Sequence, residues 1–434
     1  NRAETIDYLQ DKYTLAENED LNSKWRKYKR LNEAKIEFKH HDADVENVNE
    51  KSMKKFIARS ILRPLDSTPL LIWGAPGIGK TQIVKQVLAK VTESKGELID
   101  LTVSRLAPDD FFLPMVDRES GTATDIAKNW LPVYKVTGDA EADKIANNIA
   151  NGGTKDKPGN GGVLFFDEIT RTNKTVQDIC LKLIDERQIS GYKLGDKWAI
   201  IAASNRPDDD PDSVLEIGTA LKNRFMHINF VPSVEDWRDW AKDNLEYPEI
   251  AEFVSIVKDY FYNLDNDSNK TVFATPRSWA NASRQLAVAE DTAEKLGDKL
   301  TIGEKESIIA ANVGKTAAGV FMTFYKLLKT FPKEMIEKVW TNPDALPKPL
   351  PFKIVSPDIE AILMAIIEMK DNKKITPKEY TNFMKFLTMI DNYSYASFGL
   401  KMLDAKHPYI GLKTDTDYKE GSDIMVNYYN KKMK

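Results

Sequence analysis

Residues 74–81, Gly-Ala-Pro-Gly-Ile-Gly-Lys-Thr, form a glycine-rich loop that ends in a lysine and a threonine. The apolar run Leu70–Trp73 precedes the loop and predicts a buried strand, and apolar residues at helical spacing follow it in 82–91. A glycine loop between a strand and a helix lets backbone N–H groups turn toward a phosphate chain, with the positive end of the helix behind them. The segment therefore predicts a site for a nucleoside triphosphate rather than a simple turn.

The two residues that end the loop have separate predicted tasks. Lys80 is expected to reach the β- and γ-phosphates, and the Thr81 hydroxyl is expected to bind Mg²⁺. With ATP as the nucleotide, the predicted binding residues are Gly74, Pro76, Gly77, Ile78, Gly79, Lys80, Thr81 and Gln82.

The composition is that of an ordinary globular protein of several domains, with 434 residues, 29% charged and 42% hydrophobic. A formal net charge of −4 provides no global basic field for nucleic acid, although a local basic channel would be compatible with it. Cys180 is the single cysteine, so intrachain disulfides are excluded and a buried core thiol is expected. No apolar run approaches the roughly 20 residues of a membrane helix and no signal peptide is visible, so we expect a cytoplasmic protein.

Apolar strands alternate with amphipathic helices along the middle of the chain. This alternation predicts an α/β fold with a parallel sheet and helices on both faces. The predicted strands are 70–73, 97–101, 163–166 and 198–203. Helical patterns dominate from about residue 233 onward, and Thr376–Glu379 predicts a capping box with proline at the first helical position. We predict four segments: a charged N-terminal extension (1–50), an α/β nucleotide-binding domain (51–232), an all-α lid (233–330) and a C-terminal helical extension (331–434).

Three less regular segments have weaker signals. The connection between the second and third predicted strands is unusually long and contains Asn-Gly and Pro-Gly clusters, which predicts a functional or mobile loop. Lys24–Arg30 interleaves basic and aromatic residues, which fits a nucleic-acid contact or, favoured because nearby acids cancel the charge, a solvated helix face. The acidic run Asp208–Asp212 lacks the glycine and the terminal glutamate of an EF-hand, so a solvated loop is expected.

Two carboxylates end the third predicted strand. Asp167 stands at the strand tip, where it is expected to hold Mg²⁺ directly or through water. Glu168 follows it, and a carboxylate beside the γ-phosphate can orient and deprotonate an attacking water. The pair therefore predicts hydrolysis as well as binding.

Three further polar residues are candidates for the same chemistry. Asn205 follows the strand 198–203, where its amide could hydrogen-bond the γ-phosphate and the lytic water. Arg224 and Arg277 carry guanidinium groups, which match phosphate oxygens and stabilise charge in phosphoryl transfer. From the residues alone, either arginine could equally be a surface ion pair.

In this order, the segments resemble an AAA+ ATPase, and more closely the MoxR-like branch, over roughly residues 55–400. Residues 74–81 are similar to the Walker A motif and residues 164–168 to Walker B. The resemblance places Asn205 at the sensor 1 position, Arg224 at the arginine finger and Arg277 at sensor 2 on the lid.

The resemblance implies a ring of identical subunits, commonly a hexamer, that binds ATP and Mg²⁺ at its subunit interfaces. It also implies a partner with a von Willebrand factor A domain and a protein client that is remodelled or matured. Two alternatives stay open from the sequence. One is a nucleic-acid-stimulated motor, which the acidic pI of about 5.8 does not favour. The other is a structural scaffold that is gated by nucleotide without sustained turnover.

Overall fold

The structure is a computed structural model that describes residues 45–119, 121–206, 218–263, 271–351, 357–370, 375–390, 392–406 and 418–432. Most of the predicted extension 1–50, the basic segment Lys24–Arg30 and the acidic run Asp208–Asp212 lie outside these residues. The chain divides into an α/β unit that ends at Asp236 and a helical unit that begins at Trp237. The finer division into a lid and a C-terminal extension stays a prediction.

The α/β unit contains eleven described strands and five helices. The strands are β1 (Asn47–Val48), β2 (Leu70–Trp73), β3 (Glu97–Thr102), β4 (Phe112–Asp117), β5 (Thr122–Ala127), β6 (Val133–Lys135), β7 (Gly162–Asp167), β8 (Gln188–Ile189), β9 (Tyr192–Leu194), β10 (Trp198–Ser204) and β11 (Met226–Phe230). The helices are α1 (Glu50–Leu62), α2 (Lys80–Val91), α3 (Ala140–Ala150), α4 (Lys174–Glu186) and α5 (Thr219–Lys222).

Six of these strands form one parallel sheet in the spatial order β1-β11-β2-β10-β7-β3. The four predicted strands are confirmed as β2, β3, β7 and β10, and the predicted α/β parallel sheet is confirmed with them. Strands β7 and β10 are buried along almost their whole length, which explains their continuous apolar sequences. Beyond β11, the described residues contain no strand.

Strand β11 was not among the predicted strands. Its sequence alternates apolar Met226, Ile228 and Phe230 with polar His227 and Asn229, which is the pattern of a half-buried strand. The alternation is short, and only the pairing of β11 with β2 fixes it in the sheet. This missed strand matters because it places the segment that contains Arg224.

The connection between β3 and β7 is largely folded, so its prediction as a loop was wrong, while its predicted functional role stays a prediction. The segment contains the antiparallel β4–β5 hairpin, strand β6 and helix α3. Asp139 caps α3 by accepting from two backbone N–H groups, and the Asn148 amide donates to the carbonyl oxygens of Thr154 and Lys157. Asn151 donates to Asp196 at 2.6 Å. Asparagine side chains that satisfy backbone groups here order a stretch whose composition is typical of a loop.

A hydrophobic core lies between the sheet and α4. It includes the buried side chains of Phe111, Leu164, Phe166 and Trp198. Cys180 on α4 belongs to this core and is fully buried, as expected. Burial raises the pKa of its thiol to about 12, so the residue is a small apolar packing group and not a nucleophile.

In the described residues of the second unit, helices joined by loops are the regular structure. Its helices are α6 (Val234–Asn244, which crosses the boundary), α7 (Glu249–Ile256), α8 (Pro276–Lys295), α9 (Ile302–Val313), α10 (Lys315–Thr330), α11 (Lys333–Thr341), α12 (Pro357–Glu368), α13 (Pro377–Met389), α14 (Tyr393–Lys406) and α15 (Lys419–Lys432). Phe253, Trp279 and Phe321 pack against one another at ring distances of 5.4–5.8 Å. The predicted capping box at α13 is confirmed, with Thr376 and Glu379 bonding each other's backbone N–H. In the part of the chain that the structure describes, no helix combines the length and apolar character needed to cross a bilayer.

Two helical glycines of this unit are expected to respond oppositely to alanine. A Cβ at Gly303 would meet no atom within 4 Å, whereas a Cβ at Gly399 would lie 2.8 Å from Leu387 Cδ2 and 3.2 Å from Leu363 Cδ2. Gly303→Ala should therefore raise the unfolding free energy by about 0.5–1 kcal/mol, because alanine loses less backbone entropy. Gly399→Ala should lower it by about 1–3 kcal/mol through overpacking. Urea unfolding followed by circular dichroism measures both, and equal shifts of the two midpoints would contradict the packing described here.

Candidate active site

The glycine loop joins the end of β2 to the start of α2, as the sequence predicts. Gly77 and Gly79 have φ angles of 77° and 95°, which favour glycine because a side chain is strained there. No side chain caps α2 at Gly79, so the N–H groups of the first helical turn are left for an anion. A Cβ at Gly74 would lie 2.7 Å from Ile78 Cδ1 and 3.1 Å from the Phe230 carbonyl oxygen, so the loop also packs closely against β11.

The remaining predicted loop residues differ in exposure. Ile78 is buried, Pro76 is half-buried, and Gln82 is exposed in the first turn of α2. The loop is therefore anchored by Ile78, while its backbone stays accessible at the positions that are expected to face phosphate.

Lys80 is the centre of the site. Its side chain is buried, and Nζ donates to the carbonyl oxygens of Gly74 at 2.7 Å and Ala75 at 3.1 Å. Nζ also donates to Oδ1 of Asn205 at 3.1 Å. One ammonium group thus holds the curvature of the loop and brings the end of β10 against it.

Thr81 and Asp167 meet at the neighbouring position. The Thr81 hydroxyl donates to Oδ2 of Asp167 at 3.2 Å, which joins the start of α2 to the end of β7. Burial raises the pKa of the Asp167 carboxyl, and the positive charge of Lys80 opposes that rise. A hydroxyl and a carboxylate are hard oxygen ligands, so this pair fits Mg²⁺.

Glu168 follows Asp167 in a left-handed conformation, with φ of 55°. Its Oε2 accepts from the Ser104 hydroxyl at 2.8 Å, and its Oε1 accepts from Nη1 of Arg171 at 3.3 Å. The positive φ turns the backbone away from the direction of the strand, and the two donors then fix where the carboxylate points.

Ser104 and Arg171 are functional neighbours of Glu168 that the sequence prediction missed. Ser104 comes two residues after β3, whose last residue Thr102 lies beside Asp167 in the sheet. The available signal was that Ser104 is a polar residue shortly after a strand, and such residues meet when their parallel strands are adjacent. The adjacency of β3 and β7 was the missing information. Arg171 lies three residues after Glu168, a spacing that brings side chains together in a helical turn.

Asn205 lies where it was predicted to lie, directly after β10 and between the ends of β2 and β7. Ser204 beside it forms a hydrogen bond with Thr170, which fixes the end of β10 against the turn after Glu168. At the carboxyl-terminal end of the parallel strands, the structure therefore brings together Lys80, Thr81, Asp167, Glu168 and Asn205.

Arg224 lies at the opposite end of the strands, near their amino termini. It lies two residues before β11, and Met226, the first residue of β11, pairs with Leu70, the first residue of β2. The glycine loop instead follows Trp73, the last residue of β2. The length of β2, about 10 Å, therefore separates the glycine loop from the end of the sheet where Arg224 lies. Arg224 forms an ion pair with Asp185 at 3.1 Å and donates to the Ala220 carbonyl oxygen.

Arg277 belongs to the helical unit. It is exposed in the first turn of α8, directly after Thr275, which caps that helix, and Pro276. Its predicted role as sensor 2 stays a prediction.

Residues 69–225 match the family model described as AAA domain (dynein-related subfamily). The match begins just before β2 and ends directly after Arg224, so it covers the glycine loop, Asp167, Glu168 and Asn205. Together with the geometry above, it identifies this part of the chain as an AAA+ P-loop ATPase domain. No curated protein matches the chain.

Several solved structures match parts of the chain at low sequence identity. The RuvB Holliday junction branch migration motor of Thermotoga maritima is 15% identical, covers 81% of this chain and 86% of its own, and has a TM-score of 0.31. Domain III of the replication initiation protein DnaA of Thermotoga maritima is also 15% identical, with coverages of 61% and 92% and a TM-score of 0.33. A putative ATPase from Cytophaga hutchinsonii is 15% identical, with coverages of 71% and 88% and a TM-score of 0.29. These TM-scores are low, so the assignment rests on the family match and on the site.

The Thr81–Asp167 contact predicts how the site depends on magnesium. Thr81→Val keeps the side-chain shape and removes the hydroxyl ligand, whereas Thr81→Ser keeps the hydroxyl. We expect Thr81→Val to raise the Mg²⁺ concentration for half-maximal ATP hydrolysis by about tenfold or more. Thr81→Ser should stay close to the unmodified protein. A magnesium titration of ATPase activity measures both, and identical curves for the two variants would exclude Thr81 as a ligand.

Proposed function

We propose that this protein is a MoxR-like AAA+ ATPase that hydrolyses ATP at the subunit interfaces of a ring and uses the energy to remodel or mature a protein partner. The observation that carries the proposal is the separation of Arg224 from the glycine loop across the sheet. An arginine on the far edge cannot reach its own nucleotide, but it can complete the site of a neighbouring subunit.

Within one subunit, the glycine loop and Lys80 would bind the phosphates of ATP. Mg²⁺ would be held by Thr81 and Asp167, where it supplies positive charge to the phosphate oxygens. Their contact of 3.2 Å, between two half-buried oxygen-bearing side chains, supports this assignment.

Glu168 and Asn205 are the residues proposed to handle the attacking water. The Glu168 carboxylate would accept a proton from the water, and the Asn205 amide would orient it. In the structure, Glu168 is bonded to Ser104 and Arg171, and Asn205 is bonded to Lys80. These bonds hold both side chains beside the glycine loop, and each side chain keeps hydrogen-bonding capacity for a water molecule.

The proposal also assigns roles to Arg224 and Arg277. Arg224 would stabilise charge in the neighbouring subunit's transition state, and its exposed ion pair with Asp185 can be given up at low cost. Arg277 would report nucleotide state to the helical lid as sensor 2. A hexameric ring, a partner with a von Willebrand factor A domain and a protein client are supported by the resemblance of the motifs to the MoxR-like branch.

The proposed arrangement predicts complementation between two inactive variants. Glu168→Gln should still bind ATP but lose hydrolysis by about a hundredfold or more, because no carboxylate accepts the proton. Arg224→Ala should lose most activity because the neighbouring site lacks its arginine. In mixed rings, an interface with Glu168 on one side and Arg224 on the other is intact. Random mixing should therefore restore up to about a quarter of the unmodified rate.

Differently tagged subunits that co-purify would show that mixed rings form. Mixed rings without any recovery of activity would place Arg224 outside the neighbouring site. Stimulation of the unmodified protein by DNA or RNA, with a steep loss at higher salt, would favour the nucleic-acid motor instead. Binding of ATP without sustained turnover would favour the scaffold.

A further inference from the structure

A side-chain bridge joins the strand that carries the glycine loop to the segment that carries Arg224. Trp73, the last residue of β2, donates from Nε1 to Nδ1 of His227 on β11 at 2.9 Å. Nε2 of the same imidazole lies 2.8 Å from the carbonyl oxygen of Lys222, the last residue of α5. Gly74 begins the loop on one side of this bridge, and Arg224 follows two residues after Lys222 on the other.

The two bonds define the protonation of His227. A carbonyl oxygen only accepts, so Nε2 carries the hydrogen, and the indole N–H only donates, so Nδ1 does not. Each ring nitrogen therefore has a separate partner. Its ring stacks on Trp73 with an interplanar angle of 15° and meets the edge of Phe225, which directly follows Arg224.

We propose that His227 is a positioning residue that couples the glycine loop to Arg224 of the same subunit. The proposal rests on the proposed function, in which Arg224 serves the neighbouring site. Phosphate contacts along the loop act on Trp73 through the backbone at Gly74. Because β2 and β11 are paired and the imidazole is bonded at both ends, a shift of Trp73 either carries Lys222 with it or breaks a bond. Nucleotide in one site would thereby set the position of the arginine offered to the next.

The side-chain contacts of Arg224 are weak, so the backbone around it largely determines the position of this arginine. The ion pair with Asp185 joins two side chains that are 39% and 44% exposed, which makes it a weak anchor. Leu221 and Phe225 are buried on either side, and His227 fixes the backbone between them at Lys222. Local backbone bonds shape the turn, including those from the Arg224 N–H to Leu221 and from the Phe225 N–H to Lys222. The imidazole ties this turn to β2, and so contributes to where the turn presents the Arg224 guanidinium.

Three substitutions separate the two bonds of the bridge. The amide nitrogen in His227→Gln can replace Nε2 as the donor to Lys222 but leaves Trp73 without its acceptor. His227→Asn places an amide oxygen near the Nδ1 position and loses the Lys222 bond, and Trp73→Phe removes the indole donor while keeping an aromatic ring. Each should lower kcat for ATP about three- to tenfold and leave KM within about twofold. The matched control is Trp130→Phe, which removes another indole bond in the same unit, to the Asp110 carbonyl oxygen, and should leave kcat unchanged.

Combination with Arg224→Lys distinguishes positioning from a general structural role. Arg224→Lys keeps the charge, loses the guanidinium fork and should leave a measurable residual rate. If His227 acts through Arg224, adding Trp73→Phe or His227→Gln to Arg224→Lys should cause no further loss of kcat. A further three- to tenfold loss in the double variant would overturn the proposal. Thermal unfolding of each variant identifies any that is misfolded, and Trp73→Phe alone then still provides the test.

The same measurements separate a failure of the coupling from a failure of the proposed function. If Arg224→Lys and Arg224→Ala both keep the unmodified kcat, Arg224 is not a catalytic arginine and the proposed function is wrong. If those variants lose activity while Trp73→Phe, His227→Gln and His227→Asn all keep the full kcat, only the coupling through His227 is wrong.

Discussion

The contacts of the Lys80 ammonium group are the interaction on which the rest of the site depends. A buried cation is costly unless acceptors replace water, and here two come from the loop itself and one from Asn205 at the end of β10. The same group lowers the cost of burying the Asp167 carboxylate beside it. Strand pairing, the Thr81–Asp167 bond and the bond from the Gly74 N–H to the Ser204 carbonyl oxygen already bring the loop, β7 and β10 together. Lys80 adds the one described side-chain contact that joins the loop to Asn205. Phosphate oxygens would compete with these acceptors for the ammonium group, so ligand binding and a local rearrangement are inseparable at this position.

Much of this site could be predicted because parallel strands expose their polar ends at one edge. The loop, Asp167, Glu168 and Asn205 each follow an apolar run long enough to be recognised, and the chemistry of each residue type restricts what it can do there. The order of the strands is a different matter. Strand β10 lies between β2 and β7 in the sheet, although β7 precedes β10 in the sequence. That order depends on long-range packing, and it decides that Asn205 contacts Lys80 while Ser104 contacts Glu168.

The features that were missed share one cause, which is that a partner distant in sequence determines them. Ser104 has no distinctive neighbours in sequence, and His227 becomes meaningful only when β11 lies beside β2. The prediction of a loop between β3 and β7 failed for a related reason. Asparagines such as Asn148 and Asn151 signal turns when counted locally, yet here they satisfy backbone and side-chain groups of an ordered segment. Composition indicates how much of a segment is polar, but it does not indicate whether those polar groups bond each other or water.

The sheet itself explains why such a domain would act with its neighbours. The predicted phosphate-binding residues lie at the carboxyl ends of the strands, while Arg224 lies beyond their amino ends. On the proposed function, one subunit would therefore contribute to two different nucleotide sites. Strand β2 is the shortest physical connection between these ends, and β11 lies along its whole length. Hydrogen-bonded strands resist relative sliding, because sliding by one residue would reverse the faces of their side chains. A displacement at the glycine loop is therefore transmitted along the pair instead of being absorbed, and Trp73 and His227 are the side chains that join β2 to the segment before Arg224. Coupling of this kind needs no large motion, only that the two ends of one strand pair serve two different nucleotides.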